Sequence, residues 1–200
     1  MIDKISYETM KSKYGHVGSW AIWKYPDKTP KSNTDDMNWV TDPDLLLRIN
    51  TGYVFVGLNW SSTHGDQSKG GTISWKNFHS GYSRQNDYKL RYALQGTKYE
   101  GSYMTDIIKL YAEVDSNKVS EYIREHPEEV KKNIIDFEEE ISFLGDKPTL
   151  VAMGGQTYKI LKDNLGNKYK ILQIMHYSYT IGQEDYREKV LKVLDGGINL

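Results

Sequence analysis

The 200-residue sequence contains no cysteine. Disulfides, zinc thiolates and iron–sulfur clusters are therefore excluded, and the composition suits a reducing cytosol. No apolar run approaches the roughly 20 residues needed to span a bilayer. The opening Met1-Ile2-Asp3-Lys4-Ile5-Ser6 lacks the apolar stretch of a signal peptide. The expectation is a soluble cytoplasmic protein with no membrane partner. A large excess of one charge is also missing: 26 basic residues face 27 acidic ones, a net charge of −1. That argues against an electrostatic grip on nucleic acid over the whole surface and leaves room for a local basic patch. There is no Gly-x-Ser-x-Gly elbow and no cysteine nucleophile, which disfavours acyl-transfer hydrolysis.

What is present is the composition of a globular domain, 38% hydrophobic and 26% charged, with sixteen tyrosines. Tyrosine joins a stacking face to a polar tip, so the count fits a polar ligand surface and an ordinary half-buried shell alike. The length suits one domain with one substantial core. Residues 1–50 read as an N-terminal helix (about 3–13) and an extended arm around Trp20-Ala21-Ile22-Trp23-Lys24-Tyr25. Residues 51–195 read as the core. Four apolar runs predict strands: Tyr53–Leu58, Ser102–Ile108, Thr149–Met153 and Tyr169–Met175. Between them lie helical patterns, the clearest over Pro127–Leu144. There Val130, Ile134, Phe137, Ile141 and Leu144 form one apolar stripe, with Pro127 in the first turn and Gly145 past the end. Alternating strands and helices predict an α/β fold, three layers deep, with a central four-stranded parallel sheet. The polar, Gly-rich stretch Ser61–Gly81 is longer than an ordinary connection, which marks it as functional or disordered.

In such a sheet, ligands bind beyond the carboxyl ends of the strands. The first strand ends in Gly57-Leu58-Asn59-Trp60-Ser61-Ser62. There a glycine admits close approach, an asparagine offers an amide, and two serines offer hydroxyls. Taken locally, Asn59 and the serines also fit a simple turn cap. The last strand ends in His176-Tyr177-Ser178, and the second carries Asp106. Three strand ends that each deliver a polar group predict one shared site. His64, Asp66 and His79 match no standard metal-ligand spacing, and neither a metal nor a cofactor is expected. Gly154-Gly155-Gln156-Thr157 opens a helix but lacks the lysine and spacing of a phosphate-binding loop.

The combination resembles the uracil-DNA glycosylase superfamily. Gly57-Leu58-Asn59-Trp60-Ser61 is similar to its first motif in the Gly-x-Asn-Pro form of the mismatch-specific and single-strand-selective branches. Thr105-Asp106-Ile107-Ile108-Lys109 is similar to the segment that usually reads Thr-Asn-Val-Val-Lys. Val151-Ala152-Met153-Gly154-Gly155 is similar to the penultimate strand and turn, and His176-Tyr177-Ser178 to the His-Pro-Ser motif. The motifs run in the family's order over roughly residues 50–195. Three positions depart from the pattern: Trp60 and Tyr177 replace prolines, and Asp106 replaces the asparagine that usually reads the base.

The resemblance implies a DNA-repair hydrolase that flips a damaged or modified base out of DNA and cleaves its N-glycosidic bond. Asn59 would position the water and His176 would stabilise the departing base anion. Gly57, Leu58 and Asp106 would line the base site, with Phe78 or Trp75 stacking on the base. Ser61, Ser62, Ser178, Lys76 and Arg84 would contact phosphate. An amide cannot act as a true base, which implies slow turnover. An ionised Asp106 only accepts hydrogen bonds, so it suits a base edge with donors, or else a carboxylic acid kept protonated by burial. Two other readings of the same residues are a non-catalytic binder of nucleic acid or nucleotide and an N-glycosidic hydrolase of small nucleosides.

Overall fold

The structure is a computed structural model that describes residues 2–59, 73–82, 85–109, 111, 113, 115–145 and 147–196. It opens with helix α1 (Lys4–Tyr14), whose first turn is capped by the Asp3 carboxylate accepting from the backbone of Ile5 and Ser6. A two-residue strand β1 (Ser19–Trp20) leads into an arm that includes a 3₁₀ turn (Asn38–Thr41) and a single-turn helix α2 (Leu45–Arg48). The core follows as β2 (Asn50–Asn59), α3 (Asp87–Leu94), β3 (Ser102–Ile108), α4 (Ser116–Glu125), α5 (Pro127–Ser142), β4 (Thr149–Met153), α6 (Gly155–Leu165), β5 (Ile171–Ile174) and α7 (Gln183–Gly196).

The five strands form one mixed sheet in the order β1-β3-β2-β4-β5. The α/β class is as expected, but the four-stranded parallel sheet needs correction. β2, β3, β4 and β5 pair in parallel, and β1 adds an antiparallel edge through Ser19 opposite Met104 and Trp20 opposite Tyr103. Two residues are too few to leave a period-2 pattern, which is why β1 reads from sequence as part of an extended arm.

Both faces of the sheet are covered. On one face Val54, Val56, Tyr103 and Ile107 pack with Phe137 and Ile141 of α5, Leu161 of α6 and Met10 of α1. On the other, Phe55, Met104 and Val151 pack with Leu90 and Leu94 of α3 and Val190 of α7. Burial on both sides explains the near-continuous apolar runs of β2 and β3. β2 sits centrally between β3 and β4, so the chain leaves it toward one edge and leaves β4 toward the other. The crevice at such a reversal is where open α/β sheets take ligands. Among the described residues, no helix is long and apolar enough to cross a membrane.

Candidate functional site

At the carboxyl end of β2 the side chains alternate between faces. Leu58 packs with the face lined by α5 and α6, whereas Gly57 opens onto the other, so Leu58 stands behind the site. Gly57 pairs with Asp106 across the β2–β3 ladder. A Cβ built on Gly57 would collide with Oδ1 of Asp106 and lie 3.6 Å from Cζ of Phe78. The glycine is needed because a carboxylate occupies the place of its side chain.

Asp106 is 5% exposed. Its Oδ2 accepts a hydrogen bond from Nδ2 of Asn77 at 2.9 Å. Nδ2 also donates to the Val17 carbonyl at 2.7 Å, and Oδ1 of Asn77 accepts from the Phe78 amide at 3.1 Å. Both amide protons are therefore assigned, and Asn77 presents a donor to Asp106. Burial pushes the Asp106 carboxyl up to about 6, opposed by the Asn77 hydrogen bond and the nearby Lys109 charge.

Phe78 and Trp75, alternatives as the stacking aromatic, are separated by the fold. Phe78 faces Gly57, and its ring meets Tyr177 edge-on at 6.4 Å between centroids. Trp75 is fully buried on the opposite side, where its Nε1 donates to the Tyr7 hydroxyl at 2.9 Å and its ring packs against Trp20 and Tyr103. Trp75 is thus a core residue and cannot stack on a ligand at Gly57. Both aromatics adopt positive φ, 67° at Trp75 and 63° at Phe78, a conformation that costs a bulky residue about 1–3 kcal/mol. The arm holds them there. The Trp75 amide donates to the Gly15 carbonyl, the Ser19 hydroxyl donates to the Trp75 carbonyl, and Trp23 Nε1 donates to the Phe78 carbonyl.

His176 follows β5 and lies against Gly154, where a Cβ would stand 3.7 Å from that of His176. Gly154 has φ +100°, and its amide donates to the Ile174 carbonyl. This turn starts α6 and brings the ends of β4 and β5 together. The Ser178 backbone N–H donates to Nδ1 of His176 at 3.2 Å, and the Ser178 hydroxyl lies 2.8 Å from the same nitrogen. A backbone N–H can only donate, so Nδ1 is the acceptor and the neutral ring carries its proton on Nε2. Burial holds the imidazole down to about 4, so it is neutral at pH 7. Ser178 directs its hydroxyl proton to the imidazole and orients the ring. The ring stacks on Tyr177 at 4.4 Å, and Tyr177 in turn meets Phe78. Burial raises the Tyr177 phenol well above its ordinary value, and the charges of Asp87 and Asp106 add to the effect. A continuous path of contacts therefore joins His176, Tyr177, Phe78, Gly57 and Asp106.

Asn59 lies two residues beyond Gly57. Its Nδ2 donates to the carbonyls of Tyr111 at 3.2 Å and Glu113 at 2.7 Å. Two carbonyl acceptors fix the amide orientation. They give Asn59 a structural task other than the turn cap its local sequence suggests, tying down the chain that leaves β3.

Sequence reading missed the support behind Asp106. Lys109 donates through Nζ to the Asp106 carbonyl at 2.6 Å and pairs with Glu140 at 2.7 Å. Glu140 is fully buried on α5 and also accepts from the hydroxyls of Tyr103 and Thr105 at 2.7 and 2.8 Å. The available signal was a glutamate lodged between Phe137 and Ile141 of the apolar stripe. Asp87, at the start of α3, is a second buried carboxyl. It accepts from the Ser80 amide at 2.8 Å, and burial pushes it up to about 6.

Lys76 donates to the Asp35 carbonyl at 3.0 Å. Ser61, Ser62 and Arg84, together with Trp60, His64 and Asp66, lie outside the described residues. His79 is buried, with its ring between Trp23 and Trp39. No group of three metal-ligating side chains occurs among the described residues. Comparison with protein-family models, curated proteins and solved structures finds no match for this chain.

Proposed function

We propose that this chain is a DNA glycosylase-like enzyme that hydrolyses the N-glycosidic bond of a modified base extruded from the strand. One arrangement carries the reading. A neutral imidazole with its proton on Nε2 is linked through the rings of Tyr177 and Phe78 to a buried carboxylate over Gly57, all at the carboxyl end of parallel strands. The parallel run β3-β2-β4-β5 and the order of the motifs along the chain also support it.

In this reaction the glycosidic C–N bond breaks and its electron pair leaves with the base. Water adds to the anomeric carbon and loses its proton to solvent. Nε2–H of His176 donates to the oxyanion that develops on the base, a preorganised donor aimed at charge that appears only in the transition state. Asn59, its amide held by donation to the Tyr111 and Glu113 carbonyls, is the residue proposed to position the water. Phe78 supplies the stacking face. Ser61, Ser62, Lys76 and Arg84 are the proposed phosphate contacts.

The test is incubation with oligonucleotides bearing a panel of modified bases, followed by alkaline cleavage. Strand scission that His176→Ala abolishes supports the reading. Binding without scission makes the chain a binding module. Release of free base from monomeric nucleosides alone makes it a nucleoside hydrolase.

A further inference from the structure

We infer that the base site is built for a cytosine-type pyrimidine, one bearing both an amino group and a ring carbonyl, and that Asp106 Oδ1 is the atom that selects it. The inference rests on the base-excision reading above and names its substrate class. Asp106 is 95% buried as a residue, being 5% exposed, yet only one of its two oxygens is bonded. Asn77 satisfies Oδ2 and, with both amide protons assigned, cannot rotate to offer anything else without losing the Val17 carbonyl. Oδ1 has no hydrogen-bond partner among the described residues, is not one of the fully buried unpartnered atoms and so can be reached by water or a ligand, and stands over Gly57, on the side where Phe78 lies.

The charged and titratable groups packed around Asp106 do not meet that oxygen's need. Lys109, at the end of β3, donates to the Asp106 carbonyl and to Glu140 of α5. Asp87 of α3 accepts from Ser80, Lys76 donates to the Asp35 carbonyl, and the Tyr177 phenol lies near enough to feel both carboxylates. His176 presents an N–H at the other end of the Phe78–Tyr177 contact.

A bound base would cut this oxygen off from water, and an acceptor so desolvated without a donor is costly, so a ligand that brings a donor is selected over one that does not. The site thus offers one acceptor, Asp106 Oδ1, and one donor, Nε2–H of His176. Cytosine-type bases present an amino donor and a carbonyl acceptor and match both. A uracil-type base would place a carbonyl where the amino group belongs, against the carboxylate. Adenine-type bases have the amino group but no carbonyl for the imidazole.

The experiment measures binding of the intact protein to single-stranded oligonucleotides carrying one fluoroarabino-cytidine, one fluoroarabino-uridine or one abasic analogue, all resistant to hydrolysis. Fluorescence anisotropy at pH 7.5 gives the affinities, with Asp106→Asn as the variant. The asparagine is isosteric and can still accept from Asn77. The expected result is a cytidine preference of roughly 10- to 100-fold in the native protein, the range set by a hydrogen bond to a charged group. That preference shifts toward uridine in Asp106→Asn. A uridine preference in the native protein, or the same preference in both proteins, overturns the inference and leaves the base-excision reading standing. Binding of both bases no tighter than the abasic analogue overturns the two together.

Discussion

Replacing Asp106 by asparagine should stabilise the protein at neutral pH and not at acid pH. Burial raises the Asp106 carboxyl from the ordinary carboxylate range to about 6. The folded state therefore holds that proton more tightly than the unfolded chain. Stability from this group is fully present below the ordinary value and falls as pH rises through about 6. A displacement of this size corresponds to about 2–3 kcal/mol lost at pH 7 and above. Asparagine fills the same volume and has no charge to desolvate. The stability difference between Asp106→Asn and the native protein should thus be near zero at pH 4 and grow to about 2–3 kcal/mol in the variant's favour by pH 8. His79, held down to about 3, and His176, held down to about 4, lower stability as pH falls, but they do so in both proteins and cancel in the difference. Urea unfolding followed by tryptophan fluorescence, in steps from pH 4 to pH 8, measures it. A difference that stays flat across this range would show that Asp106 is as well hydrated as an exposed aspartate, and the account of the site built on its burial would fail.

Gly57→Ala should cost about 1–3 kcal/mol because its methyl collides with Asp106 Oδ1. The double variant Gly57→Ala/Asp106→Ala should recover most of that cost in a thermodynamic cycle, and strict additivity would refute the contact. Lys109→Met should cost about 3–5 kcal/mol by leaving Glu140 charged and unpaired in the interior. Adding Glu140→Gln, which keeps an oxygen for the Tyr103 and Thr105 hydroxyls, should restore much of it in thermal unfolding.

The strands and helices were legible because two physical regularities write them into the chain. The four parallel strands are short apolar runs that must be covered on both faces, and α5 is a stripe at helical spacing. Of the candidate site, what could be read in the sequence was the position of Gly57, Asp106 and His176 at or near the carboxyl ends of strands. Asn77 was invisible as a partner because its position depends on the segment 73–82 lying against residues 15–23, a contact between distant parts of the chain. The choice between Phe78 and Trp75 could not be made from sequence for the same reason. Both are aromatic and both sit in one short turn, and only the packing of that turn against residues 15–23 decides which face each ring takes. Glu140 carried a trace of its role, since a charge on an apolar stripe needs a buried cation, but the spacing does not say that the cation is Lys109.

The contacts of Asn59 explain why a carboxylate is absent from the end of β2. Its Nδ2 donates to two backbone carbonyls, at 2.7 and 3.2 Å, and these fasten the chain beyond β3 to β2. Aspartate at this position has no proton to donate when ionised, and its oxygen would face the carbonyl oxygens of Tyr111 and Glu113 directly. Asn59→Asp should therefore destabilise the fold by about 1–3 kcal/mol at pH 8, from two lost hydrogen bonds and the repulsion that replaces them, reduced because Asn59 is only partly buried. Protonation restores one donor, so the carboxyl introduced should titrate above its ordinary range. The deficit should then shrink as pH falls through that raised value, the same direction of dependence as Asp106 in the native protein. Urea unfolding at pH 8 and pH 4.5 tests this. A variant as stable as the native protein at pH 8 would mean that the two carbonyls find other donors. The amide at the end of β2 would then be free to have been chosen for chemistry alone.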